Sequence, residues 1–318
     1  MKPTLMGSLR NRIFAPDPRD VTFERRGFHA PGPQQQANLE MVGRMFLTGF
    51  GFGLTGRTIA DMESSLEAIE KPFRGFAYEG CAMALAVRDG ILPARQHWVS
   101  DFLAGPGKPH VYMAHIGVGW AMARLPAVRW RAIMPEDEVL SWLALDGYGF
   151  HQAYFRTSQY VDRQHQAQVP LFKPAEYANR AIDQGIGRAL WFVNGSDVRG
   201  VAEAIGKFAP HRQGDLWSGA GLASVYAGGV DPGDLTLMRK LAGEHAPDGA
   251  QGAAFAAKAR LLAGLESPHT DAGAQAWCGM SAKDAAAVTE EAVEVLFDTG
   301  GPEPGYERWR QRIRESFV

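Results

Sequence analysis

A glycine, a second small residue two positions on and an alanine four positions on recur throughout this chain. The pattern is clearest within residues 179–193, where it reads Gly185, Gly187 and Ala189. It returns as Gly80-Cys-Ala82-Met-Ala84, Gly117-Val-Gly119-Trp-Ala121, Gly219-Ala-Gly221-Leu-Ala223 and Gly252-Ala-Ala254-Phe-Ala256. Two looser copies without the alanine are Gly51-Phe-Gly53-Leu-Thr55 and Gly147-Tyr-Gly149-Phe-His151. The leading glycines, at 51, 80, 117, 147, 185, 219 and 252, are spaced by 29, 37, 30, 38, 34 and 33 residues. That is the length of a helical hairpin, the unit of helical arrays. Residues four apart stack on one helix face, so each copy offers a stripe on which a second helix can lie close. An interior glycine costs a helix roughly 1 kcal/mol relative to alanine, which close packing has to offset. Gly185-Ile-Gly187 is a poor dinucleotide fingerprint, because Leu190 stands where a third glycine would open the helix.

The rest of the chain fits a helical body. Of 318 residues, 46% are hydrophobic and 21% charged, with a net charge of -2. This is an ordinary globular composition, and its near-neutral charge argues against a nucleic-acid surface. No apolar run approaches the roughly 18 residues of a membrane span. The start, with basic residues dispersed as far as Phe28, is unlike a secretory signal. Cys81 and Cys278 stand apart and read as small buried thiols, which places the chain in a reducing cytoplasm.

Residues 1–40, rich in Pro, Arg and Gly, read as an irregular arm; 41–157 form a first helical half, 158–174 a polar connection and 175–318 a second half of the same compact body. Pro135 followed by three acids predicts a helix start, with Val139, Leu140, Trp142 and Leu143 as its apolar face. Superposing Gly80 on Gly185 (185 − 80 = 105) pairs Ala84 with Ala189 and Leu85 with Leu190. Superposing Gly117 on Gly219 (219 − 117 = 102) pairs Gly119 with Gly221 and Ala121 with Ala223. The expected fold is all-α: stacked helical hairpins, as in TPR or HEAT arrays, with an internal duplication of two halves.

Polar groups precede several of the small-residue positions: Glu79, His115, Asp146, Asp183 with Gln184, Asp215 with Ser218, and Gln251. If the striped helices line one wall, these groups converge, and a buried carboxylate is either paired or functional. The plainer expectation is that each caps a helix or pairs with Arg180, Arg188 or Arg212. His151 stands where five copies have alanine, so its imidazole needs partners or a cavity. Glu79, His115, Asp146, His151 and Asp183 are the acid–base candidates. Tyr78, Trp120, Tyr148, Gln184, Trp191 and Trp217 are the candidate ligand contacts; such aromatics are most often core, but they can also wall a tunnel for a flat apolar ligand. Metal spacing is poor, since His110 and His115 are five apart, and no cofactor signature is legible.

Five stretches carry a resemblance: Arg74-Gly-Phe-Ala-Tyr-Glu-Gly80, Leu103-Ala-Gly-Pro-Gly-Lys-Pro-His110, Leu145-Asp-Gly-Tyr-Gly-Phe150, Asp183-Gln-Gly-Ile-Gly-Arg-Ala-Leu-Trp191 and Asp215-Leu-Trp-Ser-Gly-Ala-Gly221. Over about residues 10–317 the chain resembles a family of unknown function found in enediyne biosynthesis clusters. Members are encoded beside the iterative enediyne polyketide synthase, its thioesterase and two accessory proteins, one of them membrane-embedded. The resemblance implies a role in converting the linear polyene into the enediyne core, with the polyene as a hydrophobic ligand or substrate and other biosynthetic proteins as partners. It assigns no catalytic residues, so catalysis stays open beside two alternatives: a non-catalytic protein that shields the polyene or docks partners, and a scaffold without a cavity.

Overall fold

The computed structural model describes residues 16–91, 97–294 and 303–318. Gly300-Gly-Pro302, which the sequence marks as a helix end, and the first part of the expected arm lie outside them. The described residues form sixteen α-helices and no strand. The longer ones are α1 (Pro33–Thr55), α2 (Ile59–Glu67), α3 (Lys71–Ile91), α4 (Trp98–Ala104), α5 (Val111–Met122), α6 (Leu143–Phe155), α7 (Ala175–Val193), α8 (Val198–Gly206), α9 (Pro210–Tyr226), α10 (Pro232–Ala242), α11 (Ala246–Leu262), α12 (Pro268–Cys278), α13 (Ala282–Glu294) and α14 (Gly305–Glu315). Single helical turns at Phe23–Arg26 and Trp130–Ile133 complete the set.

The recurring glycines bring α1, α3, α5, α6, α7, α9 and α11 side by side. A Cβ on Gly185 would lie 1.9 Å from the Asp146 carbonyl oxygen and 2.8 Å from Phe150 N. On Gly219 it would meet Gln184 O at 1.8 Å and Arg188 N at 2.7 Å; on Gly252, Ser218 O at 1.8 Å and Leu222 N at 2.9 Å. Each leading glycine thus sits on the carbonyl of the residue just before the previous leading glycine. The second glycine faces the other way: Gly119, Gly149, Gly187 and Gly221 sit on the carbonyls of Ala144, Ile182, Leu216 and Gly249, each three residues before the next leading glycine. Ring contacts give the direction: Trp142, just before α6, meets Tyr177 at 5.0 Å and Phe150 meets Phe192 at 5.2 Å, so contacts advance together along α6 and α7 and these neighbours run parallel. Such short approaches are the geometry of Cα–H···O contacts, each worth about 0.5–1 kcal/mol, and only glycine permits them.

The same rule corrects the first copy. Gly80 sits on Phe46 O (2.0 Å) with Phe50 N at 3.0 Å, and Gly49 sits on Ala77 O (1.9 Å), whereas a Cβ on Gly51 would touch nothing within 4 Å. The first register position is therefore Leu47, followed by Gly49, and the first spacing is 80 − 47 = 33 residues. Gly51 misled because it shares the motif's composition while facing away from α3.

The row curls back on itself. Asn38 on α1 donates to Ala227 O beyond the end of α9 (3.1 Å), and Arg260 on α11 donates to Pro72 O on α3 (3.0 Å). The Phe76 and Tyr226 rings meet edge to face at 5.1 Å. The C-terminal α14 fills part of the interior so formed: Tyr306 Oη donates to Gln184 Oε1 (3.0 Å), and fully buried Arg310 bonds Gln251 Oε1 (3.1 Å) and Asp215 (2.8 Å). The expected helix start at Pro135 is displaced. Asp137 Oδ1 accepts from Val139 N and Leu140 N, a short 3-10 turn follows at Leu140–Trp142, and α6 begins only at Leu143. In the expected arm, Pro18–Val21 and Phe23–Arg26 are helical turns and α1 begins at Pro33, whose fixed φ suits a first helical position.

Candidate functional site

Counted from the leading position of each striped helix, the side chains at −4, −1, +3 and +7 share one face. The spacing is that of a helix side, and this face turns to the interior. On one side of the interior it builds a small pocket. Phe46 and Glu79 stand at −1, Gly43 and Phe76 at −4, Trp120, Phe150 and Arg188 at +3, and Tyr154 and Phe192 at +7. Val42 and, from the N-terminal turn, Val21 complete the lining. The cavity is about 40 Å³, room for two or three waters at roughly 10–15 Å³ each. Its rings pack on one another: Trp120 lies 4.4 Å from Phe46 and 5.1 Å from Phe150, and Phe150 lies 5.2 Å from Phe192.

Glu79 is the acid of this pocket. It is 2% exposed. The Arg188 guanidinium that favours its charge bonds Asp146 Oδ1 instead, and itself lies over the Phe150 ring. Asp146 is fully buried, and its Oδ2 has no partner. Two carboxylates therefore share one guanidinium in an apolar setting, and they cannot both be charged cheaply. Burial pushes the Glu79 carboxyl up to about 7; Arg188 opposes this, Asp146 adds to it, and the neighbouring Trp120 N–H, itself without a bonded partner, favours the charge. Burial also raises Asp146, against its bond to Arg188. The arrangement offers an apolar wall and one carboxyl group able to hold or release a proton near neutrality.

The other candidates lie elsewhere. His151, at +4, meets the edge of Trp120 at 5.4 Å; both ring nitrogens lack partners, and burial with Arg124 and Arg156 pushes it down to about 3. His115, at −2, bonds Val111 O on its own helix through Nδ1 (2.8 Å). Asp183, also at −2, takes a bidentate bond from Arg212 (2.8 and 2.5 Å), and burial still lifts it to about 6. Tyr78 donates to Glu67 (2.8 Å) and stacks on His110 at 3.6 Å. Tyr148 Oη accepts from Gln152 (2.8 Å), Gln184 is engaged by Tyr306, Trp191 Nε1 donates to Gly228 O (3.0 Å), and Trp217 faces Trp277 at 6.5 Å. Of the eleven candidates, the structure brings Glu79, Asp146 and Trp120 together. Among the described residues, no group of three or more His, Cys, Asp or Glu is placed to hold a metal ion, and no helix is long and apolar enough to cross a membrane.

With this geometry in place, comparison with known proteins gives one match, to a family described as protein of unknown function (DUF1702), over residues 5–317. The chain belongs to the DUF1702 family. No curated protein and no solved structure matches it. In this DUF1702 chain, the site residues that sequence reasoning left out of its candidates include Phe46, Phe76, Tyr154 and Arg188. All fall on the −4, −1, +3, +7 stripe, so the register of the small residues was the signal that could have found them.

Proposed function

We propose that this protein acts on the linear polyketide-derived polyene during its maturation to an enediyne core, with Glu79 as the acid–base group. The reading rests on the five stretches that resemble the enediyne-associated family, and above all on one observation: a buried carboxyl whose neighbouring guanidinium is bonded to Asp146, set into a wall of six aromatic rings. A conjugated chain presents flat apolar surface, which such rings accommodate. A carboxyl poised near pH 7 can take a proton from a carbon acidified by conjugation and return it at another carbon of the same π system. On this reading the protein works in the cytoplasm beside the polyketide synthase and its accessory proteins. The helices are stacked hairpins from an internal duplication, a view supported by the same glycine contacts recurring on both sides of residues 158–174.

One observation favours a second reading. At about 40 Å³ the pocket is far smaller than a polyene. On the acid–base reading a polyene enters by displacing the turn that carries Val21, whereas a scaffold that only docks other biosynthetic proteins needs no cavity. Glu79→Gln in a producing strain separates the two. The acid–base reading expects loss of product with the protein still folded and abundant. Undiminished product contradicts it, and recovery of unaltered polyene from the wild-type protein favours shielding.

A further inference from the structure

Gly75 is an interior glycine whose missing Cβ makes room for a side chain rather than for another helix. A Cβ there would lie 2.0 Å from Tyr226 Oη and 3.1 Å from its Cζ. The residue sits inside α3, where glycine costs roughly 1 kcal/mol relative to alanine, so the sequence gives up helix propensity to seat a phenol hydroxyl against the backbone. That hydroxyl is buried and has no hydrogen-bond partner. The ring itself is held on two sides, by Phe76 at 5.1 Å and by the Arg260 guanidinium 4.1 Å from its centroid. Gly75 and Glu79 are four apart on α3 and so lie one above the other on one face. A free donor is therefore seated one turn from the pocket's carboxyl.

We propose that Tyr226 is a positioning residue for Glu79, its hydroxyl donating to the carboxylate whenever Glu79 gives up its proton. This rests on the acid–base reading of Glu79. The charged and titratable groups around the pair are Arg188 on α7, Asp146 on α6 and Arg260 on α11, with the Trp120 N–H on α5. Arg188 is bonded to Asp146, and Arg260 donates to Pro72 O and Tyr226 O. None of these contacts occupies the Tyr226 hydroxyl.

The test follows the Glu79 carboxyl band by infrared difference spectroscopy across pH 5–9, with Glu79→Gln to assign the band, in wild type and Tyr226→Phe. Phenylalanine keeps the ring and both of its contacts. A purely packing residue would leave the Glu79 titration unmoved. The inference expects the wild-type midpoint near the value of about 7 that burial imposes and a rise of about one unit in Tyr226→Phe, since loss of a donor to the charged form disfavours it. Thermal stability is expected to stay level or rise, because a buried unbonded hydroxyl is removed. A band near 7 that Tyr226→Phe leaves in place overturns the inference alone. The lack of any Glu79 band titrating in this range overturns the reading of Glu79, and the inference with it.

Discussion

Gly185→Ala and Gly51→Ala exchange the same atoms in the same kind of helix and are expected to have opposite effects. At Gly185 the new methyl would start 1.9 Å from the Asp146 carbonyl oxygen, 2.7 Å from its carbon and 2.8 Å from Phe150 N. Ordinary carbon–oxygen contact begins near 3.3 Å, so α6 and α7 must separate by more than an ångström. These neighbours are all backbone, and no rotamer change relieves them. Overpacking of this kind costs about 1–3 kcal/mol and sometimes more, and the crowded carbonyl also belongs to the residue that holds Arg188. Against this stands a gain of roughly 1 kcal/mol in helix propensity. With three backbone contacts below 3 Å the overpacking cost lies at the top of its range, so the net loss is about 3 − 1, or roughly 2 kcal/mol. At Gly51 a methyl meets nothing within 4 Å, so the propensity gain stands alone, at about 0.5–1 kcal/mol. Urea denaturation reads both: with a slope of about 3 kcal/mol per molar, the Gly185→Ala midpoint falls by more than 0.5 M and the Gly51→Ala midpoint rises by about 0.2–0.3 M. If Gly185→Ala is as stable as wild type, or Gly51→Ala loses as much, the glycine register is wrong.

Other consequences can be checked separately. Glu79 is raised in the folded chain from an ordinary 4.5 to about 7, so the folded state holds the extra proton between those values. Stability should therefore fall as pH rises from about 4.5 to 7 and level off above, by about (7 − 4.5) × 1.4, roughly 3–4 kcal/mol, and this slope should vanish in Glu79→Gln. Arg188→Met should cost about 3–5 kcal/mol at neutral pH, because Asp146 is left buried and unpaired. The loss should shrink on acidification as Asp146 takes up a proton, whereas an unchanged loss at acid pH would deny the pairing. A Cβ on Gly43 would lie 2.7 Å from Val21 Cβ, so Gly43→Ala should push the N-terminal turn off the pocket. That variant should bind diphenylhexatriene, a conjugated fluorophore, faster than wild type, with tryptophan energy transfer that Trp120→Phe reduces; an unchanged rate would show that entry lies elsewhere.

The helical class was legible because the glycine-to-alanine stripe fits only a 3.6-residue period, and the glycines at 117, 185 and 219 are the crossing points it implied. Gly51 shows the limit: composition alone cannot say which of Gly49, Gly51 and Gly53 faces the neighbour, and only the backbone of α3 decides. The same ambiguity governed the site. His115, Asp183 and Trp217 precede a leading glycine by two residues, half a turn away from the interior stripe. Glu79 and Asp146 precede one by a single residue and face inward. Gln184 shares that register but is engaged by Tyr306 from α14, a long-range contact that no local spacing encodes. Arg188 was foreseen only as a local partner, since its bond to Asp146, 42 residues back, follows from the parallel register of α6 and α7.

The most direct test of the account is proton exchange between Glu79 and its ligand. Polyene released by the polyketide synthase, incubated with the purified protein in deuterium oxide and recovered for mass spectrometry, should gain deuterium on carbon with wild type and none above background with Glu79→Gln. Equal labelling with both proteins, or none with either, would contradict it.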